Sequence, residues 1–128
     1  MPDNLTIIMY HFVRDLQNSR YPQIKGLDTE LFKGQLAFLK CHYQFVTMEQ
    51  VIEALAGGAE LPEKAVLLTF DDAYNDHYAN VFPLLDELGI QGSFFPPVKA
   101  ITYNQVLDVN KIHFVLAAAS NTSVLVEA

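Results

Sequence analysis

At 128 residues the chain is long enough for one domain with a real core and too short for two. Apolar residues make up 51% of it, with nine Phe and six Tyr, which excludes a disordered chain. A formal charge of −7 with only eight Lys and Arg argues against nucleic acid as a partner, and against an anionic membrane surface.

The amino terminus lacks the layout of a signal peptide, and no stretch approaches the ~20 apolar residues of a membrane helix. A cytoplasmic location without membrane insertion is therefore the expectation. Leu-Thr-Ile-Ile-Met-Tyr over residues 5–10 reads as a buried strand that delivers His11 at its end. Residues 12–26 lose periodicity and read as a long loop, more often functional than accidental. Asp28 or Thr29 caps a helix running to about His42, with Phe32, Leu36, Leu39 and Tyr43 on one stripe and Lys33 and Lys40 off it. The single cysteine, Cys41, lies in that helix and excludes an intrachain disulfide and a Cys-based zinc cluster; it reads as an inert core or boundary thiol.

A short strand at 44–46 follows. Thr47-Met-Glu-Gln50 then has the pattern of a capping box, starting a helix that carries Val51, Ile52 and Leu55 inward and ends at Gly57-Gly58. Val66, Leu67, Leu68 and Phe70 read as a strand buried on both faces, as in a parallel sheet covered by helices. It ends in Asp71, Asp72, Ala73 and Tyr74. Residues 75–88 are helical in pattern, with Pro83 predicting a kink or an early start, and Gly89 closes the helix. Residues 90–95 read as a strand stopped by Pro96-Pro97, and a loop to about Val106 leads to a last helix over 108–120 with Ile112, Val115, Leu116 and Ala119 on one face. The tail to Ala128 carries no stop signal. Strand and helix alternate throughout, so the chain reads as a partial α/β fold of four parallel strands.

Charges placed at the end of a fully apolar strand point into the crevice at the carboxyl edge of the sheet, where open α/β folds and barrels keep their chemistry. Adjacent acids are as often a cap or a solvated turn. As a site, two carboxylates this close need a positive partner, either a metal ion or a shared proton, and eight basic residues make a bound cation the better neutraliser. One acid can then hold the metal while the other acts as general base on a water. Among the four histidines no pair has the i, i+4 spacing of a local metal motif. His42 reads as a surface or capping residue, and His113 as a satisfied boundary histidine. His77 follows the acids closely enough to reach back, although an exposed first-turn histidine is the preferred reading. His11 is a candidate to line the site because its strand ends in the same crevice, and Tyr74 is a further candidate.

Thr69-Phe-Asp71-Asp72-Ala-Tyr74 resembles the first motif of the polysaccharide deacetylases (the NodB-homology, carbohydrate esterase family 4 group), usually Thr-Phe-Asp-Asp-Gly. Met9-Tyr10-His11-Phe-Val13 resembles their first-strand element, and Phe45-Val-Thr-Met48 the strand-to-helix step after their first long helix. Residues 83–95, ending Gly-Ser-Phe-Phe, resemble their helix and Ala-Thr-Phe-Phe strand, and residues 107–114 an insertion of a subset linked to surface-polysaccharide synthesis. The resemblance implies a distorted (β/α) barrel, here its N-terminal portion with about four parallel strands. It further implies hydrolysis of acetyl groups from N-acetylated sugars or polysaccharide, a carbon–nitrogen, non-peptide bond cleavage. By motif match Asp71 would be the general base and Asp72 a ligand of a divalent metal, typically zinc.

Two departures qualify that. Ala73 replaces the usual Gly, costing on the order of 1 kcal/mol if the backbone there needs positive φ. The family's His-x-x-x-His metal pair and its later Arg, Asp and His motifs are not in this sequence. Residues 1–128 are therefore expected to be a single truncated domain, weak in zinc and inactive alone; Asp72 with His11 and His77 is a minor alternative ligand set. A non-catalytic interaction piece of the same fold, oligomerising through the incomplete barrel, is the second reading. A receiver-like magnesium module is the third, and lacks a further strand-end Asp.

Overall fold

An apolar run without alternation needs cover on both faces, and the chain supplies it for one strand. The computed structural model describes residues 5–119. In chain order they form β1 (Leu5–Tyr10), β2 (Val13–Arg14), β3 (Leu27–Asp28), α1 (Thr29–His42), β4 (Gln44–Phe45), α2 (Met48–Leu55) and β5 (Ala65–Asp71). A π-helical turn (His77–Val81) leads into α3 (Phe82–Leu88), followed by β6 (Ser93–Phe95), α4 (Val98–Tyr103) and α5 (Asp108–Ala118).

Strand β5 is the centre. β1 pairs with it in parallel along six residues, Leu5 opposite Ala65 through Tyr10 opposite Phe70. Its other edge is shared by β4 at the start and β6 at the end, both also parallel. The sheet stays open among the described residues, and β2 pairs only with β3. Because side chains alternate along a strand, Val66, Leu68 and Phe70 enter one core with Phe32, Leu36, Leu39, Val81 and Leu85. Ala65 and Leu67 enter a second, smaller one with Val46 and Val51. Each buried Leu, Val or Phe contributes about 1.5–3 kcal/mol relative to leaving it in water. Tyr10 stacks on Phe70 at 5.2 Å, and Phe70 on Phe94 at 4.9 Å. Gly92 permits that approach, since a Cβ there would sit 2.8 Å from the Phe70 ring.

Local signals behave as expected. Asp28 caps α1 by accepting from the Glu30 N–H, and Thr47 and Gln50 form the reciprocal capping box of α2. Gly89 closes α3 in the left-handed region, at φ 65°.

Several expectations of burial and extent need correction. β1 is buried on one face only, because nothing among the described residues covers Ile7 and Met9, which are exposed. In α2 only Val51 is buried, and Ile52 and Leu55 face outward. The loop at 12–26 contributes the two residues of β2. The strand expected at 90–95 is paired only over Ser93–Phe95. The loop expected before Val106 contains helix α4. In α5 the apolar set Ile112, Val115 and Leu116 is exposed while Asn110 is buried, so the helix is rotated from its expected face. Cys41 is exposed. At Pro83 the early-start alternative holds: the proline sits in the first turn of α3, after a widened turn in which the Phe82 N–H reaches the His77 carbonyl five residues back. Residues 120–128, with the end of the expected last helix and the tail, lie outside the described residues. No helix among the described residues is long and apolar enough to cross a membrane.

Candidate functional site

The sheet positions the acids. Asp71 is the last residue of β5, in register with Phe95, and the Asp72 N–H donates to the Phe95 carbonyl at 3.2 Å. There the ladder ends and the chain turns sharply. Asp72 has φ 72° and Ala73 φ 50°, so two consecutive residues with a Cβ occupy the left-handed region. Strain of this kind, on the order of 1 kcal/mol per residue or more, persists only where surrounding structure enforces it, and it concentrates at functional sites. The Ala73 departure thus falls where glycine would be free and alanine is not.

Both acids keep access to water, with side chains 33% and 24% exposed. His11 follows β1 directly, and the parallel pairing of β1 with β5 brings it to the same edge. Its Nε2 lies 4.0 Å from an oxygen of Asp71 and 4.0 Å from one of Asp72. Tyr74 folds back over the turn, its ring stacked on Phe12 at 3.9 Å. Its hydroxyl donates to Asp72 Oδ2 at 2.7 Å and also lies 2.7 Å from Asn110 Oδ1. A phenol has one proton, so the hydroxyl can serve only one of these two acceptors at a time. Burial, and then the Asp72 carboxylate that accepts the proton, push the Tyr74 phenol above its usual value.

The structure therefore brings His11, Asp71, Asp72 and Tyr74 together. His77 departs from its preferred reading as an exposed residue: it is 5% exposed, against Phe70, Tyr74 and Phe94, and its Nε2 donates to the His11 carbonyl at 2.8 Å. A first-turn position suggested solvent, but His77 opens the widened turn and is buried. His42 is exposed and bonds the Phe38 carbonyl through Nδ1, and His113 is exposed with its ring edge toward Phe12.

Sequence reading missed three participants. Asp76 is buried and accepts from Arg14 twice, at 2.8 and 3.0 Å, and from the Val13 N–H at 3.2 Å. Arg14 also lies over the Phe12 ring, 4.6 Å from its centre. Asn110 reaches the site from α5, 36 residues beyond Tyr74. A lone Arg in a loop and a lone Asn in an apolar helix give no signal that they will meet residues so far along the chain.

Among the described residues no group of three His, Cys, Asp or Glu has the geometry to hold a metal ion. Asp72 Oδ2 is already engaged by Tyr74, and zinc takes three or four protein ligands. These residues alone do not fit a complete metal centre.

A family model for polysaccharide deacetylase matches residues 58–113. The poly-β-1,6-N-acetyl-D-glucosamine N-deacetylase of Escherichia coli (strain K12) is 42% identical over 80 residues, covering 61% of this chain and 12% of that protein. A Bacillus subtilis (strain 168) protein provisionally named polysaccharide deacetylase YxkH is 30% identical over 107 residues, covering 83% of this chain and 36% of that one. Among solved structures, the de-N-acetylase from Aggregatibacter actinomycetemcomitans superposes with a TM-score of 0.68 at 29% identity, over 82% of this chain and 42% of that one. IcaB from Ammonifex degensii gives 0.57 at 33% identity, over 73% and 40%. The chain thus spans less than half the length of each of these relatives.

Proposed function

Because the chain belongs to the polysaccharide deacetylase family and has the open parallel α/β fold of its NodB-type members, we propose that it carries the proton-transfer groups of a site removing acetyl groups from an N-acetylated polysaccharide. The observation that carries this reading is the convergence of Asp71, Asp72 and His11 at the carboxyl ends of two adjacent parallel strands.

Amide hydrolysis needs a base for the attacking water, charge stabilisation at the carbonyl oxygen and a proton for the departing amine. Asp71, at the strand end and partly open to water, takes the proton as the water oxygen bonds to the acetyl carbon. His11, the one imidazole within 4.0 Å of the acids, gives a proton to the amine nitrogen as the carbon–nitrogen bond breaks, so acetate and a free amino sugar leave. Tyr74 holds Asp72 by its hydroxyl and keeps that carboxylate oriented. Asp72 would supply one ligand of a divalent metal, zinc by family resemblance, and the described residues do not supply the rest.

The test is acetate release from N-acetylglucosamine oligomers by the natural polypeptide carrying these residues. Asp71→Asn should lower kcat by about 10²–10⁴; an undiminished rate would remove Asp71 as the base. Residues 1–128 alone should take up zinc only weakly, and tightly bound stoichiometric zinc by metal analysis would overturn the incomplete ligand set.

A further inference from the structure

His11 stands beside the acids without a hydrogen bond to either. Its ring is exposed, and the nearest carboxylate oxygens are 4.0 Å away. The β1–β5 ladder ends one residue before it, at Tyr10 opposite Phe70. Something else must fix the backbone that aims this imidazole.

We propose that Asp76, His77 and Asn80 are positioning residues, gripping the backbone of His11 and Val13 so that the His11 ring is held against Asp71 and Asp72. The three lie at the first turns after the acid motif, at i, i+1 and i+4. His77 Nε2–H donates to the His11 carbonyl at 2.8 Å. Asp76 Oδ2 accepts the Val13 N–H at 3.2 Å, and Asn80 Nδ2 donates to the Val13 carbonyl at 2.9 Å. Arg14 closes the grip with its two bonds to Asp76. The segment His11–Phe12–Val13 is thus held at both ends from one face of one helix, and that helix is rooted in the same turn that sets the acids.

Two features separate this from ordinary packing. His77 is 5% exposed, and its buried Nδ1 has no hydrogen-bond partner among the described residues. A buried polar atom left unpaired costs free energy that a Leu or Phe of similar bulk would avoid; the imidazole is retained at that cost because its other nitrogen supplies the donor. The grip also lies across the π-helical turn at 77–81, an irregularity that is frequent at functional sites. Here the widened turn places Asn80 together with Asp76 and His77.

The proposal rests on the deacetylase reading for its catalytic consequence but not for its geometry, so two measurements are paired. In the 128-residue chain, ¹H–¹³C spectra report the His11 ring directly, with the distant His42 ring as internal reference. His77→Phe keeps the ring volume and removes the donor, and should shift or broaden the His11 signal while His42 stays fixed. His77→Gln, which carries an amide N–H to nearly the same place, should restore it. In the acetate-releasing polypeptide His77→Phe should lower kcat about 10- to 100-fold with KM for the sugar unchanged, the scale of a misplaced catalytic group, and His77→Gln should recover most of the loss. Unchanged His11 signals and kcat in His77→Phe, whatever its melting temperature, would overturn the proposal. If His77→Phe does not fold, Asn80→Ala decides in its place, with a smaller shift of His11 expected and no shift counting against the grip. If the wild type releases no acetate, the deacetylase reading fails alone and the spectra still decide the positioning.

Discussion

Strand β5 and helix α5 both meet the acid turn, and they are held by opposite means. Six of the seven residues of β5 are buried, because β1, β4 and β6 occupy its edges and two cores its faces. α5 is comparably apolar, yet Ile112, Val115 and Leu116 are about half exposed and its one buried residue is polar, Asn110. Apolar content therefore does not make a core; cover does. The acids inherit a fixed position from β5, whereas α5 meets the site through the Asn110 amide and the Phe114 ring against Phe12.

The largest contrast follows directly. Leu68→Ala should destabilise the chain by about 2–5 kcal/mol, since it leaves a cavity in a strand with no freedom to collapse. Leu116→Ala should stay within about 0.5 kcal/mol, as a surface substitution does. Denaturant titration of both variants measures the difference, and equal losses would mean that α5 is covered as β5 is.

The turn that both regions meet gives a smaller effect. Ala73 sits at φ 50° directly after Asp72 at φ 72°. Replacing it by glycine relieves left-handed strain of about 1–2 kcal/mol but adds unfolded-state entropy worth about 0.4–1. Ala73→Gly should therefore raise stability by up to about 1.5 kcal/mol, read as a higher denaturation midpoint. A loss of stability would show that the turn is not strained at Ala73, and that the carboxyl side of the site does not depend on enforced backbone.

What was legible in the sequence was what neighbouring residues decide. The caps at Asp28 and Thr47 are contacts over two or three residues, and both formed as their spacing implied. The presence of four parallel strands followed from apolar runs and turn residues, and the strand-end acids from the abrupt change after Phe70. Burial was read less well, because it depends on what arrives from elsewhere. Ile7, Met9, Ile52 and Leu55 have the same chemistry as buried residues but no cover among the described residues. The grip on His11 was invisible for the same reason: Arg14 and Asp76 are 62 positions apart, and His77 and His11 66. The burial of His77 depended on a turn widened ahead of Pro83, which helical periodicity does not reveal.

The smallest effect tests the polar edge of the core that β5 anchors. Tyr10 is 6% exposed, packed on Phe32 and Phe70, and its hydroxyl donates to Gln35 Oε1 at 3.0 Å. Burial raises its phenol above the usual 10.0. The folded state therefore favours the protonated form, while the unfolded chain releases the proton near pH 10. The sign is fixed: this contribution is fully present below about pH 10 and is lost as pH rises through the higher folded value. Tyr10→Phe removes the titrating group and leaves the ring, so its stability should fall less steeply than wild type between pH 9 and 11 (approximate bounds set by that value), at the cost of one hydrogen bond near neutrality, about 0.5–1.5 kcal/mol. Parallel alkaline profiles for the two proteins would place the Tyr10 hydroxyl in contact with water, and the β1 side of the core would then be as open as the face of α5.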